Sequence, residues 1–136
     1  MTKSLTAFLA CVMTTLFPLF ALPPQVTNIS YYQRAGVDGN LTKLVDIHYD
    51  LEGNRSMYVE FFFSPDGGDS FPVHCTAMVG ASGMGVTAGI DLNATWDASI
   101  DWDQNFTDRG RIMVKATYGS QPTGVPGMEG NETGTN

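Results

Sequence analysis

Leu41-Thr42-Lys43-Leu44-Val45-Asp46-Ile47-His48-Tyr49-Asp50-Leu51, followed after a short break by Met57-Tyr58-Val59-Glu60-Phe61-Phe62-Phe63-Ser64, decides the fold class. In the first stretch Val45, Ile47, Tyr49 and Leu51 fall at every second position, with Leu44, Asp46, His48 and Asp50 between them. A period of two marks a strand, because successive side chains point to opposite faces of the pleat. Met57, Val59, Phe61 and Phe63 repeat the pattern beyond Gly53-Asn54. Pro65-Asp66-Gly67-Gly68-Asp69 then reads as a hairpin turn, since Asp and Gly tolerate the positive φ that such turns need.

Working outward, Val26 to Gln33 opens the series. Phe71 to Val79 is expected to return as one strand that ends in the Gly-rich stretch Gly80 to Gly85. Ile90, Leu92, Ala94 and Trp96 alternate next, which predicts Trp96 buried on the same face as Ile90 and Leu92. Asp97 to Gly110 reads as an acidic loop, and Arg111 to Tyr118 closes the set with Ile112, Val114, Ala116 and Tyr118 on one face. Beyond Leu22 no stretch keeps a 3.6-residue period for three turns, so no significant helix is expected. The expectation is an all-β, Ig-like or fibronectin-III-like sandwich of two sheets and about six to seven strands.

Composition agrees. The chain has 136 residues with 15 Gly, 7 Pro and 11% aromatics, which suits ring-rich strands joined by turns in a single domain. A formal net charge of −7 repels phosphate backbones, so nucleic acid is not an expected partner. Lys3 precedes an uncharged run from Ser4 to Leu22 that closes on Leu19-Phe20-Ala21, the pattern of a secretory signal peptide over residues 1–21. The expected organisation is that leader, a sandwich over 22–118, and a Gly/Thr-rich tail or linker over 119–136. This places the chain outside the cytoplasm, with no membrane segment once the leader is removed.

Six of the seven asparagines stand in Asn-x-Ser/Thr: Asn28, Asn40, Asn54, Asn93, Asn105 and Asn131. They are candidate glycosylation sites in a host with that machinery, with Asn40 and Asn54, beside turns, expected to be modified first. Cys11 leaves with the leader, so Cys75 remains the lone thiol and no intramolecular disulfide is possible. Its apolar strand neighbours point to burial.

Chemistry is sparse. His74 and Cys75 are adjacent in a strand and therefore face opposite ways, which rules out a Cys–His pair between them. His48 lies between Asp46 and Asp50 on a solvated face, with no nucleophile in any motif beside it. Gly83-Met84-Gly85-Val86-Thr87-Ala88 fits the spacing of a phosphate-cradling turn, but such a turn must open a helix and a strand-like run follows. Asp97, Asp101, Asp103 and Asp108 offer hard oxygen ligands for calcium. The EF-hand register fails, because counting from Asp101 puts Phe106 at the Gly position and Ile112 at that of the bidentate Glu. No catalytic residue, cofactor or metal centre is assigned, and the chain is not expected to be an enzyme.

Leu44-Val45-Asp46-Ile47-His48-Tyr49-Asp50-Leu51, Ser64-Pro65-Asp66-Gly67-Gly68, Gly83-Met84-Gly85-Val86-Thr87-Ala88-Gly89 and Ala94-Thr95-Trp96-Asp97-Ala98-Ser99-Ile100-Asp101-Trp102 occur in an order that carries a resemblance. Over about residues 24–118 the chain resembles the Ig-like β-sandwich found N-terminal to formylglycine-generating-enzyme-like (sulfatase-modifying-factor) domains of secreted proteins. It departs from that pattern at Ala88 and Asp91. The resemblance implies an accessory module and brings no activity, since the copper-binding cysteine pair of the catalytic domain has no counterpart here.

The expected function is therefore that of a secreted, non-catalytic accessory or interaction module, on its own or as the N-terminal part of a modular protein of that kind. Its partner would be a protein domain or a cell-surface component. Tyr58 and Phe62 are the interface candidates, because the Phe61-Phe62-Phe63 run must put a ring outside whichever face fills the core. The alternative is a carbohydrate- or calcium-binding adhesion module that uses the acidic loop and the rings of Tyr31, Tyr32 or Trp102.

Overall fold

The computed structural model describes residues 22–119, and the expected leader, the tail beyond Gly119, Cys11 and Asn131 lie outside them. Eight strands and one helical turn follow in order: β1 (Gln25–Ala35), β2 (Leu41–Glu52), β3 (Met57–Ser64), β4 (Val73–His74), β5 (Met78–Gly80), β6 (Gly83–Val86), β7 (Gly89–Asp97), α1 (Ala98–Asp101) and β8 (Arg111–Tyr118). They form two antiparallel sheets, one ordered β1-β2-β7-β5 and the other built on β3. β8 lines one edge of β3 from Met57–Tyr118 to Ser64–Arg111. β4 and β6 divide the other edge, at Phe62–His74 and Phe63–Val73 for β4 and at Met57–Val86 and Val59–Gly83 for β6. This is an all-β sandwich. Its sheets follow the A-B-E-D and C-F strand arrangement of immunoglobulin domains, with no described strand beside β8 in the place of G.

The alternating residues meet between the sheets. Ile47, Tyr49 and Leu51 from β2, Met57, Val59, Phe61 and Phe63 from β3, and Ala94 and Trp96 from β7 are buried, with Ile112 and Val114 from β8. Tyr49 packs edge-on against Phe61, with ring centroids 5.7 Å apart, and its hydroxyl donates to the Ala81 carbonyl. Burial pushes that phenol up to about 12. Trp96 is buried as the alternation predicts.

Ile90 departs from that prediction and is 85% exposed. Tyr49 pairs with Leu92 but Leu51 pairs with Gly89, so β7 carries one extra residue there. Asp91 absorbs it at φ 55°. Such a bulge reverses the face on which the residues before it project.

The segment expected as one strand from Phe71 to Val79 is two. The chain pairs with β3 at β4 and by Cys75 N–H to the Phe61 carbonyl (2.9 Å), crosses to the other sheet as β5, and returns as β6, so the Gly-rich stretch is partly strand. The cause sits at Thr76-Ala77. Their backbone N–H groups donate to the Asp101 carboxylate (2.8 and 3.2 Å), and Asp97 N–H donates to the Ala77 carbonyl (2.9 Å). Gly80 completes the crossing at φ 91°, where an added Cβ would stand 2.5 Å from the Asn93 carbonyl oxygen. The short turn α1 is the single helix among the described residues. It starts at Asp97, whose carboxylate accepts from Ser99 N–H and hydroxyl (3.0 and 2.6 Å).

Candidate functional site

Two surfaces stand out. The first is a cleft of about 200 Å³ where the edge strands β1 and β8 of the two sheets separate, lined by Tyr31, Gln33, Lys43, Val45, Phe63, Trp96, Trp102, Asn105, Phe106 and Ile112, among others. Strand alternation aims Tyr31, Val45, Phe63 and Ile112 inward, and the 97–110 connection supplies the rest. α1 turns that connection over the core and places the Trp102 ring 4.8 Å from Phe63. Thr107 donates its hydroxyl to the Pro65 carbonyl (2.7 Å), which fastens the far end of the loop to the turn after β3. Tyr31 reaches across the cleft and donates to the Gly110 carbonyl (3.3 Å). Phe106 stays 89% exposed at the rim. An aromatic floor with the amides of Gln33 and Asn105 and the ammonium of Lys43 around it suits a ligand with apolar and polar faces.

The second surface is the outer face of the β3 sheet. Tyr58, Glu60 and Phe62 stand opposite Thr117, Lys115 and Met113 of β8. Phe62 stacks on His74 at 4.9 Å and 17°, and His74 Nε2 lies 3.6 Å from Glu60 Oε1. Where β4 leaves β3 and β6 arrives, the open edge forms a groove of about 340 Å³ lined by Tyr58, Glu60, His74, Thr76 and Ser82 and their neighbours. Burial, then the nearby Glu60 charge, raises the Tyr58 phenol above its ordinary value. Thr117 Oγ1 is buried on this face without a hydrogen-bond partner. Tyr58 and Phe62 are half-buried, neither core nor freely solvated.

The calcium candidates are not brought together. Asp97 caps α1. Asp101 accepts from Thr76 N–H and hydroxyl, Ala77 N–H and the Trp96 indole (2.8 Å), while Asp103 faces Lys43 at 3.9 Å. Burial works against the ionised form of Asp101, but these donors outweigh it and hold the carboxyl below its usual range. Among the described residues no three His, Cys, Asp or Glu side chains gather as a metal-binding group. Asp108 lies exposed in the same loop.

The face that carries His48 holds one surprise. Asp46, expected to be solvated, is buried, because Arg34 of β1 lies over it with Nε and Nη2 at 2.8 and 2.6 Å and Thr95 donates to it at 2.7 Å. The Arg34 hydrogen bond is the main reason its carboxyl is held low; burial opposes and Thr95 assists. His48 is held by Asp91 (2.8 Å) and Asn93 (3.1 Å) and stacks on Tyr32. So Tyr32 faces away from the cleft that Tyr31 and Trp102 share. Cys75 is buried and His74 exposed, on opposite faces as alternation requires, and burial first and Asp101 second push the thiol up to about 12.

Asn28, Asn40, Asn54, Asn93 and Asn105 are all exposed. Asn28 and Asn93 belong to the β1-β2-β7-β5 sheet, Asn40 and Asn54 to turns, and Asn105 to the rim of the cleft. None lies on β3, β4, β6 or β8. Sequence reading missed Gln33, Lys43 and Phe106 at the cleft and the Glu60–His74–Phe62 contact. The only local signal was the odd Phe61-Phe62-Phe63 run, because the other partners come from separate strands. Comparisons with family models, with curated proteins and with solved structures return no match to this chain.

Proposed function

We propose that this chain is a secreted, non-catalytic accessory module that works by contact with a protein domain or cell-surface component, on its own or ahead of a formylglycine-generating-enzyme-like domain of the kind it resembles. The observation that carries the reading is the outer face of the β3 sheet. Phe62 and Met113 pair across it, Tyr58 stands on the same face beyond the charged Glu60–Lys115 pair, and no Asn-x-Ser/Thr site lies on the strands that build it. A face free of glycan acceptors in a chain otherwise set with them is a face available for docking. Phe62→Ser in the whole chain should lower self-association in sedimentation or improve solubility while leaving the melting midpoint nearly unchanged, because Phe62 packs on His74 and not on the core. A large fall in midpoint, or unchanged sedimentation and solubility, removes this reading.

A second reading follows from the cleft. Tyr31 and Trp102 with Gln33, Lys43 and Asn105 are the ring-and-amide combination that stacks on and hydrogen-bonds a sugar. Glycan-array binding that disappears in Trp102→Ala would favour carbohydrate; a flat array would discard it.

A further inference from the structure

We propose that the free edge of β8 accepts an added strand from another protein, an extended segment with apolar side chains facing inward and acidic side chains facing outward. The proposal rests on the interaction-module reading and supplies the chemistry of the partner.

Among the described residues β8 pairs with β3 alone. Alternate N–H and C=O groups along Arg111–Tyr118 therefore point away from the ladder, at the position that strand G fills in immunoglobulin sandwiches. The edge is regular. Its pairing with β3 runs without a register shift, whereas the pairing of edge strand β1 with β2 is interrupted twice and Asn28 sits at φ 52° within it. Bulges of that kind blunt an edge against further pairing, and β8 has none. The cleft opens inside this edge between Tyr31, Trp102 and Ile112, where an apolar side chain of an added strand would enter.

Charge identifies the occupant. Of the six basic residues in the described chain, Arg109, Arg111 and Lys115 lie on or just before β8, and Lys43 stands at the cleft. Arg111 and Lys115 alternate with buried Ile112 and Val114, so they project outward; Lys115 stands opposite Glu60 of β3 and Arg111 beside Gly68 of the turn after it, yet neither reaches ion-pair distance of a carboxylate among the described residues. Side chains directly opposite in an antiparallel pair attract when their charges differ. A second copy of β8 would set cations against cations. Residues 120–136 carry Pro122 and Pro126 and no apolar alternation, which makes that segment a poor ladder partner for β8. An acidic, alternating segment of a different chain satisfies the backbone, the cleft and the charges together.

The test is to titrate the whole chain with the synthetic peptide acetyl-Glu-Val-Glu-Leu-Asp-Val-Glu-Ile-Thr-amide, reading amide hydrogen exchange and Trp fluorescence. Alternate amides of β8 should gain about tenfold protection and Trp102 emission should shift. The same peptide N-methylated on its edge-facing amides should not bind. The double variant Arg111→Glu, Lys115→Glu should weaken the acidic peptide about tenfold and favour a version with Lys at the acidic positions. No protection of β8 at millimolar peptide overturns the proposal, as does equal binding of the N-methylated form or protection at β1 or β5 instead. β8 amides already protected in the free chain and released on truncation after Gly119 would show that the chain's own continuation fills the edge. A sugar that shifts Trp102 emission while the peptide leaves β8 unprotected would favour the carbohydrate reading in its place. The Phe62→Ser experiment reads a different surface, so failure here leaves the contact reading to stand or fall separately.

Discussion

Replacing Asp101 by Ala should cost about 2–4 kcal/mol of folding stability, and the figure follows from what its carboxylate holds. Oδ2 accepts from Trp96 Nε1 (2.8 Å), Thr76 N–H (2.8 Å) and Ala77 N–H (3.2 Å), and Oδ1 accepts from the Thr76 hydroxyl. Trp96 is 1% exposed, so its indole N–H could not reach water, and a buried donor left alone costs about 1–3 kcal/mol. The half-buried Ala77 amide adds up to about 1 kcal/mol, while the exposed Thr76 groups are rehydrated at little cost. Against a total of about 5–15 kcal/mol for a domain of this kind, the loss should be plain. Asp101→Asn keeps one acceptor oxygen for the indole but turns an amide toward other donors and loses the charge, so it should fall near half the alanine value. Urea unfolding followed by Trp fluorescence measures both. A loss under about 0.5 kcal/mol for Asp101→Ala, or equal losses for the two variants, would refute this account of the β4–β5 crossing. A chelator that destabilises the wild type but not Asp101→Ala would restore calcium to this residue.

Trp96→Ala should cost about 3–5 kcal/mol, because the ring is buried between the sheets against Phe63, and a thermal midpoint near the native one would contradict that packing. Cys75 should resist alkylation in the native chain and react promptly in urea, since the thiol is buried and its pKa is pushed up to about 12; fast labelling of folded protein would be evidence against it. Acid should destabilise the domain through Asp46 and Asp101. Both carboxyls are held below their unfolded value, so their contribution is complete above about pH 4 and is lost as the pH falls through the folded values. Urea midpoints between about pH 5 and 2 should fall less steeply in Asp101→Asn than in wild type, and parallel slopes would remove Asp101 from that set. Mass spectrometry of protein from a eukaryotic secretory host should find glycans at Asn40 and Asn54, and bare residues at both would count against their accessibility as acceptors.

The sandwich was legible where one residue type decides a face. Val45 to Leu51 and Met57 to Phe63 keep a strict period of two, and a one-residue slip would turn every apolar side chain outward, so the pattern admits one register. It failed at Ile90 and at Phe71 to Val79, where the outcome depends on partners distant in sequence. The Asp91 bulge is required by the pairing of β7 with β2, and the crossing at Thr76 is required by a carboxylate twenty-five residues away. Asp46 misled for the same reason. An aspartate alternating with apolar residues reads as a solvated face, and only the register of β1 shows that Arg34 covers it.

The same distinction applies to the acidic loop. Asp97 and Asp101 looked like ligands because oxygen-rich side chains serve metals and backbone donors equally well, and composition does not say which are present. Here the donors are the chain's own amides, two hydroxyls and one indole, and their service is to turn the 97–110 connection so that Trp102 lies over Phe63 and the cleft opens beside β8. Acidic residues thus fix the shape of the edge, while the basic residues gathered on β8 give it a charge opposite to that of the whole chain. The edge of β8 away from β3 has no strand beside it among the described residues, and with these cations along it the proposed partner would be selected by charge before any side chain enters the cleft.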